Sequence, residues 1–170
     1  WRSSAVVVPG SGVDVEQFTA SPVPVDPVRF VFVGRLLKAK GVMELLRAAE
    51  GLKQQVPSAE VHLVGGADAN PESIDPAALK EAERKGYVVL HGQVADVRPL
   101  LRAASAFVLP SYREGLPRSA LEALAMGRTA IVTDVPGCRE VVNPGEYGAL
   151  VAPRDATDLR KVLIEYATDP

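Results

Sequence analysis

Glu114 and Glu122 bracket the segment Glu114-Gly115-Leu116-Pro117-Arg118-Ser119-Ala120-Leu121-Glu122, a Gly-Leu-Pro turn that runs into the first turns of a helix. A helix start presents unpaired backbone N–H groups and about half a positive charge, which suits a phosphate. Carboxylates beside a bound anion need neutral partners, and hydroxylated rings on either side of a phosphate supply them. A sugar nucleotide has that layout. Read alone, Glu114 merely favours the helix dipole and Glu122 is a solvated helix residue. A second loop changes the weighting. Gly34-Arg35-Leu36-Leu37-Lys38-Ala39-Lys40-Gly41 follows an apolar strand and enters a helix. Arg35, a planar fork, and Lys40, a point charge, can converge there on one anion, and Gly41 lets backbone approach closely. The bland alternative is a solvated βα loop.

What the sequence lacks narrows the chemistry further. The loop after the first strand has no Gly-Lys-Ser/Thr ending, which disfavours a Walker P-loop, and no Gly-x-Gly-x-x-Gly, which a nicotinamide dehydrogenase needs. A receiver domain would end a central strand on a phosphoacceptor Asp, whereas the third strand ends Leu90-His91-Gly92. There is no Gly-x-Ser-x-Gly elbow for a serine hydrolase. His62 and His91, the two histidines, sit within or at the end of strands with no Asp, Glu or Cys at ligand spacing, so they read as structural and no metal site is expected. Cys138, the single cysteine, excludes a disulfide framework and reads as a packed or half-exposed thiol. With 19 basic and 21 acidic residues the net charge is −2, which gives no field for nucleic acid, so any polyanion site must be local. The apolar runs are strand-sized, far short of the roughly 20 residues of a membrane helix.

The elements that must position these residues alternate in period. Val28 to Val33 is a β-branched and aromatic run, and Val42, Leu45, Leu46 and Ala49 then mark one face of a helix ending near Val56-Pro57. The pattern recurs: strand Val61 to Val64, helix Pro76 to Lys85; strand Val88 to Leu90, helix Val97 to Ala104; strand Ala106 to Leu109, helix Pro117 to Met126; strand Thr129 to Thr133. Pro117 suits the first helical position. A last strand, Gly148 to Val151, precedes a helix from Ala156 to Ala167 with Asp155 as N-cap. Strands that read as continuous apolar runs and alternate with helices predict an α/β fold, a doubly wound, Rossmann-like parallel sheet. Ligands of such sheets bind at the strand carboxyl ends, where the loops above fall. Residues 27–170 form this domain. Residues 1–26, with the apolar run Val6 to Pro9 as a first short strand and the proline-rich run Ala20 to Pro27, read as an interdomain connector. No initiator Met or signal sequence precedes them, so the chain reads as a piece of something longer.

Taken together, Gly34-Arg35 with Lys40-Gly41, Pro110-Ser111, the Glu-x7-Glu spacing, Ala123-Leu124-Ala125-Met126-Gly127 and Val132-Thr133-Asp134-Val135-Pro136-Gly137 resemble the C-terminal half of the retaining GT-B glycosyltransferases of the glycosyl transferases group 1 family. The likeness covers essentially the whole chain. It implies that Gly34, Arg35 and Lys40 hold the donor pyrophosphate, with Arg35 and Lys40 stabilising it as leaving group. It implies that Glu114 binds hydroxyls of the transferred sugar and Glu122 the ribose, that Gly115, Leu116, Pro117, Arg118 and Ser119 form the segment whose N–H groups, Pro117 having none, complete the phosphate cradle, and that Gln93 and Val94 lie at the base. Pro117 stands where many members have Gly, and Arg118-Ser119 where many have apolar residues. Thr133 to Glu140 looks most like members that build capsule, O-antigen or other glycans on a polyprenyl carrier. The resemblance implies a nucleotide-sugar donor, UDP-linked, transfer with retention and no metal or other cofactor. It also implies a saccharide or polyprenyl-linked acceptor held by an N-terminal domain outside this chain, no nucleic acid, and a cytoplasmic enzyme at the inner membrane face. The rival reading is a non-catalytic, regulatory sugar-nucleotide-binding module. A GT-B epimerase would need acid/base groups that the sequence does not offer.

Overall fold

A computed structural model describes residues 10–66, 70–142 and 145–169. The expected short strand at Val6 to Pro9 lies outside them. Six strands, β1 (Arg29–Val33), β2 (Glu60–Val64), β3 (Val89–Gly92), β4 (Ala106–Leu109), β5 (Thr129–Thr133) and β6 (Gly148–Val151), form one parallel sheet in the order β3-β2-β1-β4-β5-β6. The helices between them are α1 (Val42–Gln55), α2 (Pro76–Arg84), α3 (Arg98–Ala103), α4 (Arg118–Ala125) and α5 (Pro136–Arg139), and α6 (Ala156–Thr168) follows β6. This is the doubly wound order, and it reverses direction between β1 and β4. The strands are central because they are apolar on both faces: Phe30, Phe32, Leu63, Phe107 and Ile131 are all fully buried. On the helical layer α1 lies along α6, whose start Asp155 caps by accepting from the N–H groups of Thr157 and Asp158.

Several boundaries differ from the sequence expectation, each for a local reason. β3 runs to Gly92 rather than Leu90 because Val64 pairs with Gly92 across a register shift after Leu63. The α3 helix starts at Arg98, with Val97 at its N-cap, and α2 ends at Arg84 with Lys85 at its C-cap. Pro117 is the N-cap of α4, not its first helical residue: its ψ of 101° is extended, so the helix begins at Arg118. Two short elements were not anticipated, a 3₁₀ turn at Lys38–Lys40 and the four-residue α5.

The histidines also need a correction, because His62 does have an acid beside it. Glu60 and His62 lie two apart on a strand and so share a face. His62 Nε2 stands 3.1 Å from Glu60 Oε2, and its Nδ1 stands 2.9 Å from Nε2 of His91, the rings stacking 5.0 Å apart. Among the described residues no group of three or more His, Cys, Asp or Glu could hold a metal ion. Burial, and then the facing His62, push the His91 imidazole below its usual value. A base whose folded pKa is depressed stabilises the fold above its unfolded pKa of about 6.5, and that contribution is lost as pH falls through the lowered value. The urea midpoint is therefore expected to fall between pH 7 and 5. His91→Gln should flatten that fall, and an unchanged pH slope in the variant would remove the pair as its cause. Glu60, held low by Arg29, adds its own loss only below the ordinary carboxylate range.

Candidate functional site

The loops after β1 and β4 meet at the point where the sheet reverses. After β1 the chain places Leu36 and Leu37 in the core, and the 3₁₀ turn Lys38–Lys40 follows. Gly41 then takes a left-handed φ of 69°, and a Cβ there would lie 1.9 Å from the carbonyl oxygen of Pro110. Only glycine allows both the turn and this contact with the exit of β4. Tyr112 completes the join, its N–H donating to Ala39 O at 2.9 Å. The consequence is that Lys40 Nζ donates to Glu114 Oε1 at 2.6 Å across 74 residues of sequence. Their side chains are only 27% and 11% exposed, so the pair sits in a crevice and not on an open surface.

The supports of this pair are covered and polar. The Tyr112 hydroxyl donates to the buried Glu44 at 2.8 Å, and burial followed by that carboxylate pushes its pKa up to about 12. Arg154, on the loop after β6, lies over the Tyr112 ring at 4.7 Å. Thr133 Oγ1 donates to Ser111 O. The unanticipated α5 packs on the backbone of Glu114 itself: a Cβ on Gly137 would fall 2.4 Å from Glu114 O and 2.1 Å from Gly115 O. Next to Gly137, Cys138 is buried, and burial drives its thiol up to about 11, so it stays protonated and inert. The sequence signals for α5 were Pro136 and Gly137, a helix-start proline and a close-approach glycine.

One turn into α4, Glu122 faces Arg118 of the same helix, with Arg118 Nε 3.2 Å from Glu122 Oε1. The Glu122 side chain is 12% exposed, and burial raises its pKa while Arg118 opposes the rise. The first intrahelical bonds run from Ala120 and Leu121 to Pro117 O, so the N–H groups of Arg118 and Ser119 stand outside the ladder at the helix mouth. Leu116 packs its side chain toward Gly10.

On the other side of β1 a cavity of about 340 Å³ opens at the carboxyl ends of β1, β2 and β3. Gly34 and Arg35 line it together with Gly65, Gly66, Gln93 and Val94. The expected residues are therefore drawn into three neighbouring groups along one rim: Gly34, Arg35, Gln93 and Val94 at the cavity, Lys40 with Glu114 at the reversal, and Arg118 with Glu122 on α4.

The sequence model of the glycosyl transferases group 1 family matches residues 27–169. The chain belongs to that family. An N,N'-diacetylbacillosaminyl-diphospho-undecaprenol alpha-1,3-N-acetylgalactosaminyltransferase of Campylobacter jejuni is 38% identical over 133 residues, covering 78% of this chain and 34% of the relative. Among solved structures, sucrose-phosphate synthase from Thermosynechococcus elongatus aligns with a TM-score of 0.76 and 31% identity, over 94% of this chain and 42% of that one. The C-terminal domain of a glycosyl transferase group 1 family protein from Francisella tularensis aligns with a TM-score of 0.77 and 26% identity, over 93% of this chain and 89% of that one. This group 1 chain thus has the Rossmann-like fold of a GT-B domain and spans about a third of the length of the curated relative it matches. Its described residues include no helix long and apolar enough to cross a membrane.

Proposed function

We propose that this chain is the donor-binding half of a retaining glycosyltransferase that moves a sugar from a UDP-linked donor to a saccharide or lipid-linked acceptor. The observation that carries the reading is the Lys40–Glu114 pair at the sheet reversal, beside a cavity lined by Gly34, Arg35, Gln93 and Val94. A nucleotide fits this rim with its base toward Gln93 and Val94, its ribose on Glu122 and its phosphates among Arg35, Lys40 and the α4 mouth. Breaking the anomeric bond builds charge on the leaving β-phosphate, and cations at the rim, Lys40 in its crevice and the more exposed Arg35 at the cavity edge, stabilise that charge more than the ground state. These cations can do so without a metal ion. Glu114 then exchanges Lys40 for hydroxyls of the sugar. Retention follows from the acceptor entering on the face that the nucleotide leaves, and the family membership supports it. The acceptor is held by the remainder of a longer protein, which works at the cytoplasmic face of the membrane. The undecaprenol carrier in the name of the Campylobacter relative supports a cell-envelope acceptor.

Thermal shifts of the chain with UDP-, GDP- and ADP-sugars test the reading, since a bound ligand stabilises by mass action. One base should stand out, and Glu122→Ala should weaken that nucleotide by about 1–3 kcal/mol through unpaired ribose hydroxyls. No shift with any donor, or a variant that titrates like the parent, would sink it. Binding without transfer or donor hydrolysis by the longer protein would leave a binding module in place of an enzyme.

A further inference from the structure

Both acids that the donor reading aims at hydroxyls already hold a cation: Glu114 has Lys40 at 2.6 Å and Glu122 has Arg118 at 3.2 Å. The two pairs are built differently. Lys40 and Glu114 come from loops locked together by backbone contacts, and both are mostly covered. Arg118 has a side chain 72% exposed, tethered to a carboxylate that is 12% exposed. A solvent-facing guanidinium in an i,i+4 pair is weakly held, and a phosphate that offers it two parallel hydrogen bonds competes well for it.

The geometry gives that competitor a place. Arg118 is one turn, about 5.4 Å, nearer the N-terminus of α4 than Glu122. Arg118 is also the first residue of the helix, where its own N–H and that of Ser119 stand outside the ladder. A ribose and its 5′-phosphates are spaced by a similar length. A ribose seated on Glu122 therefore brings the diphosphate within reach of the guanidinium that had been covering Glu122.

We propose that Arg118 is a partner-exchange residue of the donor site: it covers Glu122 until a nucleoside diphosphate binds, then moves to the phosphates and releases Glu122 to the ribose. This rests on the donor-binding reading above. The exchange keeps the half-buried carboxylate partnered at every stage, by guanidinium first and by hydroxyls afterwards. It also makes the site selective for the diphosphate over the bare nucleoside, because a nucleoside must displace Arg118 without offering it anything in return.

Calorimetric titration with UDP, GDP and ADP, and NMR titration with uridine, guanosine and adenosine, test this on the parent chain, Arg118→Ala and Arg118→Lys. Arg118→Ala should weaken the tightest diphosphate by about tenfold, as loss of one charge-assisted phosphate contact does. The matching nucleoside should bind as well as before or better. Arg118→Lys should recover part of the diphosphate loss, and melting temperatures should stay within about 1 °C because the side chain is exposed. Diphosphate affinity within twofold of the parent overturns the exchange. So does an equal loss for nucleoside and diphosphate, which would mark a distorted helix start. A parent that binds no diphosphate overturns the donor reading, and the exchange with it.

Discussion

Lys40→Ala is expected to lower kcat for sugar transfer by about two to three orders of magnitude, with a much smaller change in the KM for donor. Two orders correspond to about 2.7 kcal/mol of transition-state stabilisation. The asymmetry follows from where the charge develops. Before the bond breaks, the diphosphate charge is shared among the cations and amides of the rim. As the sugar leaves, the added charge falls on the bridging oxygen, and a nearby ammonium gains most then. Lys40 is suited to this because the turn that carries it is fixed at both ends, by the Gly41 contact with Pro110 and by the Tyr112 bond to Ala39. Its distance to the reacting oxygen is therefore set by the fold and needs little reorganisation. Lys40→Arg should recover only part of the rate, since a planar fork cannot occupy the point that an ammonium does. Steady-state kinetics on the intact protein decide the matter. Turnover within about threefold of the parent would take Lys40 out of the mechanism and leave it as a partner for Glu114 alone.

How much of this could be read in the sequence depends on burial. The strands β4 and β5 fall where their apolar runs end, because strands covered on both faces have no polar positions to blur their limits. β3 lies at one edge of the sheet, its first residue Val89 is exposed, and its last pairing is shifted past Leu63, so neither alternation nor an apolar run marks its end. α5 has four residues, too few to display a 3.6 period. The site was legible as residue types: Arg35, Lys40, Glu114 and Glu122 could be placed on strand-end loops and an α-helix. Which of them touch could not be read. The Lys40–Glu114 contact depends on β1 and β4 being neighbours, and strand order is a property of the whole sheet. Arg118 looked like an amide donor only, because an i,i+4 pair with Glu122 matters for ligand exchange only once Glu122 is known to be covered. Arg128 gave no signal at all, since an isolated arginine is ordinarily a surface residue.

Arg128→Met is expected to lower the melting temperature by roughly 6–15 °C, the effect of about 2–4 kcal/mol in a domain of this size. Arg128 is 1% exposed and has no carboxylate partner among the described residues. Its guanidinium donates instead to backbone carbonyls: Ala104 O at 2.9 Å, Met126 O at 2.9 Å, Pro22 O at 3.1 Å, and Ser21 O. Burial pulls its pKa down, the mark of a charge taken from water, although an arginine stays protonated. Methionine keeps much of the volume and removes the buried charge, which relieves that desolvation. Against this, the carbonyl of buried Ala104 is left unpaired, at about 1–3 kcal/mol, and those of the more exposed Ser21 and Pro22 lose a charged donor that water replaces only in part. Met126 O keeps the N–H of Ser21 as a partner. The loss of these charge-assisted bonds together outweighs the relief, so the net change is destabilising. The damage should also be directional. Ser21 and Pro22 belong to the proline-rich stretch before β1, and Arg128 ties that stretch to the turns that precede β4 and β5. The variant should thus be cleaved by proteases near residues 20–25 at temperatures where the sheet is still folded. A melting temperature within about 2 °C of the parent, with the same proteolysis pattern, would mean that water replaces the guanidinium at those carbonyls and that the connector is held elsewhere.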